Sequence, residues 1–255
     1  MTSDKTNTVN ATGTSFEILE ALADMGGAGV SEIASTLEIP KSTTHNHLQT
    51  LVDKEYVVRE DGKYDIGLRF LHLGEYSRTR SRLFSISRPE IESLATKTDE
   101  LVNLNVEEYG RGVFLYRAKG SDAVHMDTYA GKRVYLHTTA FGKSILANLS
   151  EKRVERIIEK HGLPEVTDRT IADHDKLKSE LENISERGYA LEREERLKGL
   201  CCVAAPIIVN ETVVGSVSVS GPESRMQGEW FTEELPSLIE ETTNVIEVNL
   251  RYGSG

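Results

Sequence analysis

The chain has 255 residues, of which 38% are hydrophobic and 28% charged, and its formal net charge is −11. This balance is typical of a folded protein, and the length accommodates one large domain or two ordinary ones. The sequence contains no apolar run of about 18 residues, and residues 1–8 lack the basic and apolar regions of a signal peptide. We therefore expect a cytoplasmic protein with no membrane partner.

The negative charge argues against a nucleic-acid-binding surface that covers the whole protein. Residues 1–86 carry nine basic and twelve acidic side chains, but residues 41–82 carry eight basic and six acidic ones, so the basic residues are concentrated there. A cytoplasm of very high salt, in which charges are screened within about 3 Å, favours an acidic surface. The composition is therefore compatible with a halophilic source.

The first part of the chain predicts three short helices after a disordered polar tail over residues 1–14. From Ser15, apolar residues recur at helical spacing up to the glycine-rich segment 26–29, which ends the first helix. Ser31 can cap a second short helix. Pro40 suits the first turn of a third helix, from Lys41 to Lys54.

The third predicted helix is polar on the side opposite its apolar face. Its inner positions are Thr44, Leu48, Leu51 and Val52. The opposite face holds hydrogen-bond donors and acceptors, with no acidic residue before Asp53, which is the composition expected of a helix that enters the major groove of DNA. An ordinary solvated helix face is the alternative. His45 and His47 are two positions apart on this helix and point away from each other, so we expect no metal site.

A predicted β-hairpin follows, because two short β-rich runs flank Asp61-Gly62. Three helices and a hairpin predict a winged helix-turn-helix over residues 15–67, with double-stranded DNA as the partner. The candidate DNA-contacting residues are Lys41, Ser42, Thr43, His45, Asn46, Gln49 and Thr50 on the helix, and Arg59 and Lys63 on the hairpin.

The remainder predicts a linking helical segment over residues 68–88 and a second domain over residues 89–252. Pro89 is expected to open a helix that ends near Thr98. The expected strands lie near 101–107, 112–118, 123–129, 188–193, 201–209 and 212–220, the last two joined by a turn at Asn210-Glu211. The expected helices lie at 140–149, 151–161, 173–187 and 232–251. This order predicts an α+β domain with a mainly antiparallel sheet.

The two cysteines, Cys201 and Cys202, are adjacent and would lie on opposite faces of a strand, so no disulfide framework is expected. They cannot form a four-ligand zinc site by themselves, and we predict no cofactor. A nucleophilic Cys202 paired with His137 would indicate a cysteine hydrolase, but no orienting side chain is evident, and we predict no catalytic residue. Thiol redox sensing through the two cysteines is the other alternative and needs an exposed, electropositive setting.

Five segments, in order along nearly the whole chain, resemble signatures of the IclR family of bacterial and archaeal transcriptional regulators. They are Ile39–His45, Tyr64–Arg69, Leu136–Lys143, the group Gly188–Ala190 with Glu194-Glu195 and Gly199–Pro206, and Ser218–Pro222. Two positions depart from the family's pattern: Asn46 stands where the family often has Arg, and Glu192 where it commonly has Asp.

The resemblance implies a GAF-like effector-binding domain, DNA-binding domains that dimerise, and a homodimer or homotetramer. It also implies an effector pocket against the sheet, formed by Ala140, Gly142, Glu192, Cys202, Ser218 and Ser220. Gly142 would let backbone N–H groups approach an anion such as a carboxylate. Ser218 and Ser220 are two apart on a strand and share a face, although small strand residues often pack simply against a helix. The predicted function is therefore DNA-binding regulation controlled by a small molecule, such as a carboxylate or a sugar-derived metabolite.

Overall fold

The computed structural model describes residues 8–124, 126 and 128–253. The chain divides into two compact units, Met1–Ser77 and Arg78–Gly255, so the division falls within the predicted linking segment. Within the described residues, no helix combines the length and the apolar character needed to cross a membrane.

The first unit is a winged helix-turn-helix, as the sequence predicts. Its elements are α1 (Asn10–Met25), α2 (Val30–Thr36), α3 (Lys41–Asp53), β1 (Val57–Glu60), β2 (Lys63–Ile66) and the start of α4 (Arg69–Thr79). β1 and β2 pair antiparallel, and the turn residues Asp61 and Gly62 both have positive φ, as a tight hairpin requires. The core of the unit includes Ile18, Leu22, Ile33, Leu48 and Tyr64.

Helix α1 begins at Asn10, five residues earlier than predicted, so residues 10–14 are helical rather than disordered. The hydroxyl groups of Thr14 and Ser15 donate to the carbonyls of Asn10 and Ala11 on the exposed first turn. The spacing of apolar residues predicts only the part of a helix that packs against the core, and this first turn does not pack there. Residues 1–7 of the predicted tail lie outside the described residues.

The predicted linking segment contains two helices, because α4 ends at Thr79 and α5 (Arg82–Thr98) starts after Ser81. Pro89 lies inside α5 and does not open a helix, which corrects the prediction. The reason is the cap: the Ser81 hydroxyl oxygen accepts the Phe84 N–H and starts α5 two turns before the proline.

The second unit is built on a six-stranded sheet in the order β5-β4-β3-β8-β7-β6, with every neighbouring pair antiparallel. Its strands are β3 (Leu101–Glu108), β4 (Arg111–Lys119), β5 (Arg133–Tyr135), β6 (Ala190–Arg193), β7 (Leu200–Val209) and β8 (Thr212–Pro222). Asn210 and Glu211 form the β7–β8 turn with positive φ, as predicted. The α+β class and the antiparallel sheet are therefore confirmed.

The strand predicted near 123–129 is wrong for the described residues of that segment, which have no strand; residues 125 and 127 lie outside them. Phe114 on β4 donates to the Lys132 carbonyl and accepts the Gly131 N–H. The edge of β4 is therefore taken by residues 131–135, which leave no place there for the earlier run.

Helices cover both faces of the sheet. α5 and α9 (Leu235–Tyr252) pack on one face, against residues such as Val102, Val203 and Val219. α6 (Ala140–Leu146), α7 (Glu151–His161) and α8 (His174–Arg187) contribute to the core of the other face, which includes Ala190 and Ala204. A short 3-10 turn at Leu136–Thr138 precedes α6, and a π-helical turn at Trp230–Glu234 leads into α9.

Candidate functional site

Helix α3 buries one side and exposes the polar side. Thr44 and Leu48 are fully buried, and α3 packs against α1 and α2. The predicted DNA-contacting residues of α3 are exposed apart from Thr43, which is partly buried; the exposed ones are Lys41, Ser42, His45, Asn46, Gln49 and Thr50. The sequence-predicted face is thus presented to solvent as one surface.

The hydrogen bonds of α3 separate anchoring residues from free ones. His47 Nδ1 lies 2.8 Å from the Ser15 hydroxyl oxygen, so His47 joins α3 to α1. Gln49 Nε2 donates to Asp53 Oδ1 at 2.9 Å, and the Thr50 hydroxyl donates to the Asn46 carbonyl. The side-chain amide of Asn46 makes no hydrogen bond within the described part of the chain, so both of its polar atoms are available.

The hairpin carries two exposed basic residues, Arg59 on β1 and Lys63 on β2. The Arg59 guanidinium carbon lies 5.3 Å from the ring centre of the buried Tyr64, which supports the side chain against the hairpin. The cationic group is therefore held at the surface of the wing.

Four predicted effector residues meet on one face of the large sheet. The strand register aligns Glu192 with Cys202 and Cys202 with Ser220, and it places Ser218 beside Ala204 in the next row. Ala204 belongs to the core beneath α6, so both rows face α6. Glu192, Ser218 and Ser220 are only 1%, 2% and 5% exposed.

This polar row is linked by hydrogen bonds. Cys202 Sγ lies 3.2 Å from the Ser220 hydroxyl oxygen, and Glu192 Oε1 accepts the backbone N–H groups of Glu195 and Arg196. Burial raises the pKa of the Glu192 carboxyl to about 7, although its hydrogen bond with Cys202 acts in the opposite direction. Near neutral pH, Glu192 can therefore either donate or accept a hydrogen bond.

Helix α6 packs against this row, and its first turn is already capped. The Gly142 N–H donates to the Thr139 hydroxyl oxygen at 3.0 Å. A Cβ at Gly142 would lie 2.1 Å from the Leu136 carbonyl oxygen, so close packing explains the glycine. The Gly142 N–H is therefore used within the protein, and the approach of an anion to backbone N–H groups of this turn stays a prediction. Ala140, in the same turn, is buried.

Comparisons with known proteins agree over both units. Residues 15–61 match the IclR helix-turn-helix domain, and residues 77–248 match the bacterial transcriptional regulator IclR C-terminal domain. The chain belongs to the IclR family of transcriptional regulators.

Named relatives of this IclR-family regulator extend over most of its length. It is 35% identical to the probable HTH-type transcriptional regulator ArcR of Halobacterium salinarum, over 92% of the chain and 91% of the relative. It is 30% identical to the HTH-type transcriptional repressor AllR of Escherichia coli, over 91% and 87%. These relatives are named as regulators and not as enzymes, and this chain is a DNA-binding transcriptional regulator.

Two solved structures show the same fold. The Thermotoga maritima IclR structure matches with a TM-score of 0.77 at 32% identity, over 95% of this chain and 99% of that one. An IclR homologue from Microbacterium hydrocarbonoxydans, complexed with 4-hydroxybenzoate, matches with a TM-score of 0.80 at 24% identity, over 94% and 99%.

The cysteines of this IclR-family chain lie on opposite faces of β7, as predicted: Cys201 in the core under α5 and α9, and Cys202 on the α6 face. Burial raises the pKa of the Cys201 thiol to about 11 and that of Cys202 well above its ordinary value. His137 Nε2 donates a hydrogen bond to the Pro164 carbonyl oxygen at 3.1 Å. The Cys202 thiol donates one to the Ser220 hydroxyl oxygen. His137 and Cys202 thus have separate partners, and neither activates the other in this structure.

Other polar residues on the α6 face were not predicted. Lys143 and Glu195 form a buried ion pair at 2.5 Å, and both lie in segments quoted for the family resemblance. Asn103 and Asn105 on β3 are also buried. Their signal was present in the sequence, because they are two positions apart in the otherwise apolar run over residues 101–106, as Ser218 and Ser220 are two apart on β8. Within the described residues, no group of three or more metal-binding side chains is present.

Proposed function

We propose that this protein binds a specific double-stranded DNA operator and that a small-molecule effector, held on the α6 face of the large sheet, changes its affinity for that operator. The observation that carries the proposal is the buried polar row of Glu192, Cys202 and Ser220. Polar groups in a core are costly unless they are hydrogen-bonded, and ligand sites combine a mainly apolar lining with a few convergent polar groups. The 4-hydroxybenzoate complex of the Microbacterium homologue supports a ligand site in this fold.

Helix α3 is the proposed reading element. Its exposed face carries amides, hydroxyls and an imidazole, which match the donor and acceptor pattern of base edges in the major groove. Arg59 and Lys63 on the wing are suited to phosphate contacts, which position a protein without reading sequence. The proposed contacts are Lys41, Ser42, Thr43, His45, Asn46, Gln49, Thr50, Arg59 and Lys63.

The proposed effector residues are Ala140, Gly142, Glu192, Cys202, Ser218 and Ser220. Because the Gly142 N–H is occupied by its cap, we assign Gly142 and Ala140 a shape role, as a wall without side-chain bulk. Glu192 and the two serines supply the polar contacts. This set suits a small metabolite with hydroxyl or carboxylate oxygens.

A second copy of the chain is the proposed partner of α4. None of the residues of α4 is buried; Leu71 in the helix is 67% exposed, and Leu68, immediately before the helix, is 81% exposed. An exposed apolar stripe on a short helix is stabilised when a second helix covers it. We therefore place a homodimer, or a homotetramer built from it, in the cytoplasm, with two α3 helices reading half-sites about one helical turn of DNA apart.

Thiol redox sensing is the less favoured function. A sensor cysteine reacts as a thiolate in an accessible, electropositive setting. Burial raises the pKa of both thiols here, so the thiolate is disfavoured.

Operator affinity measured with and without effector tests the proposal. The operator is first selected from random double-stranded DNA with the full-length protein, and the affinity is then measured with a protein-free metabolite extract of the source cells. We expect one preferred DNA sequence and an affinity that the extract changes. An affinity for all sequences alike would contradict the proposal, as would an operator affinity that the extract leaves unchanged.

A further inference from the structure

Strand β3 brings two buried asparagines to the face of the sheet that carries the polar row. Asn103 and Asn105 are 1% and 0% exposed. The register pairs Asn103 with Ser218 and Asn105 with Ser216, so both asparagines face α6. The Ser216 hydroxyl donates to the Ala205 carbonyl and lies 3.4 Å from the Ser144 hydroxyl of α6. In the row of Glu192, Cys202 and Ser220 the β3 residue is the apolar Leu101, so the two asparagines lie beside this row on the same face, in the rows of Ser218 and Ser216.

The amide orientation of Asn105 is fixed by its neighbours. Asn105 Nδ2 donates to the Asn103 backbone carbonyl at 3.3 Å and to the Ser218 hydroxyl oxygen at 3.0 Å. A carbonyl can only accept, so the nitrogen must be on this side. Asn105 Oδ1 then points away from these partners, is buried, and accepts no hydrogen bond. Asn103 Oδ1 is also buried and accepts no hydrogen bond.

A third buried acceptor lies on the same face of the domain. Glu195 Oε1 binds Lys143, and Glu195 Oε2 has no partner. The positive charge of Lys143 is thereby already neutralised. Three buried oxygens on this face thus lack donors. Buried acceptors without donors are unfavourable, and a donor from a ligand would relieve this.

We propose that Asn103 and Asn105 belong to the effector pocket and select effectors that carry hydrogen-bond donors, hydroxyl or amide N–H groups, on the side that faces β3. This inference rests on the proposed effector site and extends it from β6, β7 and β8 to β3. It assigns the two asparagines to specificity, since an effector with acceptors alone would leave their oxygens without partners.

The competing explanation is structural: the asparagines could stabilise the empty fold through buried water. The two explanations predict opposite effects of Asn103→Leu on the full-length protein without effector. If the amide is kept for a ligand, replacing it with an apolar group of similar size leaves Tm unchanged or raises it by a few degrees. A fall in Tm of several degrees would overturn the inference.

A matched control is Ser87→Ala. The Ser87 hydroxyl oxygen is also buried without a partner, but it lies on α5, which packs on the opposite face of the sheet. We expect this variant to be at least as stable as the wild type and to keep the ligand preferences of the wild type. Loss of those preferences in Ser87→Ala would contradict the assignment to the α6 face.

Selectivity is tested with two probes, threonate and butyrate, which share four carbons and one carboxylate and differ in hydroxyl groups. We expect threonate to bind the wild type about tenfold more tightly, the effect of one or two added hydrogen bonds. Asn103→Leu should abolish the difference. Binding of each probe is measured as the shift it causes in Tm. Equal shifts from the two probes, no shift from either, or a larger shift from butyrate would overturn the inference.

These results are separable from the proposed function. If the metabolite extract changes operator affinity while threonate and butyrate act alike, the donor selectivity is wrong and the sensor function stands. If the extract has no effect on operator binding, the proposed function itself is wrong.

Discussion

The Glu192 carboxyl is buried where β6 meets the following loop, and backbone N–H groups of Glu195 and Arg196 hold one of its oxygens. The thiol of Cys202 lies beside it on the neighbouring strand. A carboxyl in this setting is balanced between two protonation states, because burial favours the neutral acid while hydrogen bonds favour the anion. The balance gives the site a measurable dependence on pH.

Glu192→Gln should remove a pH-dependent loss of stability. In the unfolded chain the carboxyl ionises near its ordinary value of 4.5, and in the folded protein near 7. Between these values the folded state binds more protons, so the contribution of Glu192 to stability is full below about pH 4.5 and falls as pH rises through 7. A pKa shift of this size corresponds to up to about 3 kcal/mol of the free energy of unfolding.

The measurement is denaturant unfolding of the wild type and of Glu192→Gln from pH 5 to pH 8. We expect the variant to gain relative stability as pH rises. Glu186→Gln, a change at an exposed residue of α8, is the control and should show no such trend. A wild type and a Glu192→Gln variant whose difference is constant across this range would contradict the assignment.

At the scale of residues, the sequence predicts what depends on spacing and misses what depends on contacts. Ser218 and Ser220 are predicted to share a face because strand side chains alternate, and they do. The use of the Gly142 N–H by Thr139 is a contact made only after α6 has formed. The unpartnered oxygens of Asn103 and Asn105 likewise emerge only when β8 is placed beside β3.

At the scale of elements, α3 combines a buried anchor with a free polar face. Asn46→Ala should cost roughly 1–3 kcal/mol at one operator position and relax the preference there, because the amide can bind one base edge with two hydrogen bonds. Arg59→Ala should weaken binding to all sequences about equally, as a phosphate contact does.

Competition between operator and scrambled DNA measures this difference. Asn244→Ala changes an exposed asparagine of α9 in the second unit and serves as the control. The specificity ratio should fall for Asn46→Ala only. An unchanged ratio in that variant would show that α3 does not read bases through Asn46.

Helix α4 is the element whose apolar side is left exposed. Leu71→Glu should weaken dimerisation by roughly ten- to a hundredfold, the effect expected when a buried leucine is lost from an interface. Sedimentation at several protein concentrations measures the dimer. Ser77→Glu, at an exposed position of the same helix, should leave it intact. Equal dimerisation of the wild type and Leu71→Glu would show that α4 is not the contact.

Element types are more predictable here than their ends. The hairpin at Asp61-Gly62 and the turn at Asn210-Glu211 require backbone conformations that their residues favour, and both are found. The start of α5 depends on the Ser81 cap, which overrides the helix-opening signal of Pro89. The segment 123–129 has a strand-like composition, but the edge it would need is occupied by residues 131–135.

At the scale of the whole molecule, the net charge of −11 opposes the approach to DNA. Affinity for DNA ordinarily falls with salt, with a log–log slope near −0.9 for each phosphate neutralised. Added salt here also screens the repulsion between the acidic surface and DNA, so we expect a shallower dependence. Operator affinity across a salt series measures it, with sizing of the complex in parallel. A slope of about −6 or steeper would contradict this expectation.

The fold class is predictable at this scale because two kinds of pattern occur in succession. Short helices and a hairpin come first, and alternating strands with amphipathic helices follow. Neither pattern specifies the effector, because the proposed pocket combines residues of β3, β6, β7, β8 and α6, which are distant in the chain. Side-chain chemistry narrows the effector class only after these elements have been brought together.

The central claim is that the row on the α6 face controls DNA binding by α3. The most direct test is operator affinity of the wild type and Ser220→Val, each with and without the metabolite extract, using the exposed Ser224→Val as the control. We predict that all three proteins bind the operator equally without extract, and that the extract changes the affinity of the wild type and Ser224→Val only. A Ser220→Val variant that responds to the extract as the wild type does would contradict the account.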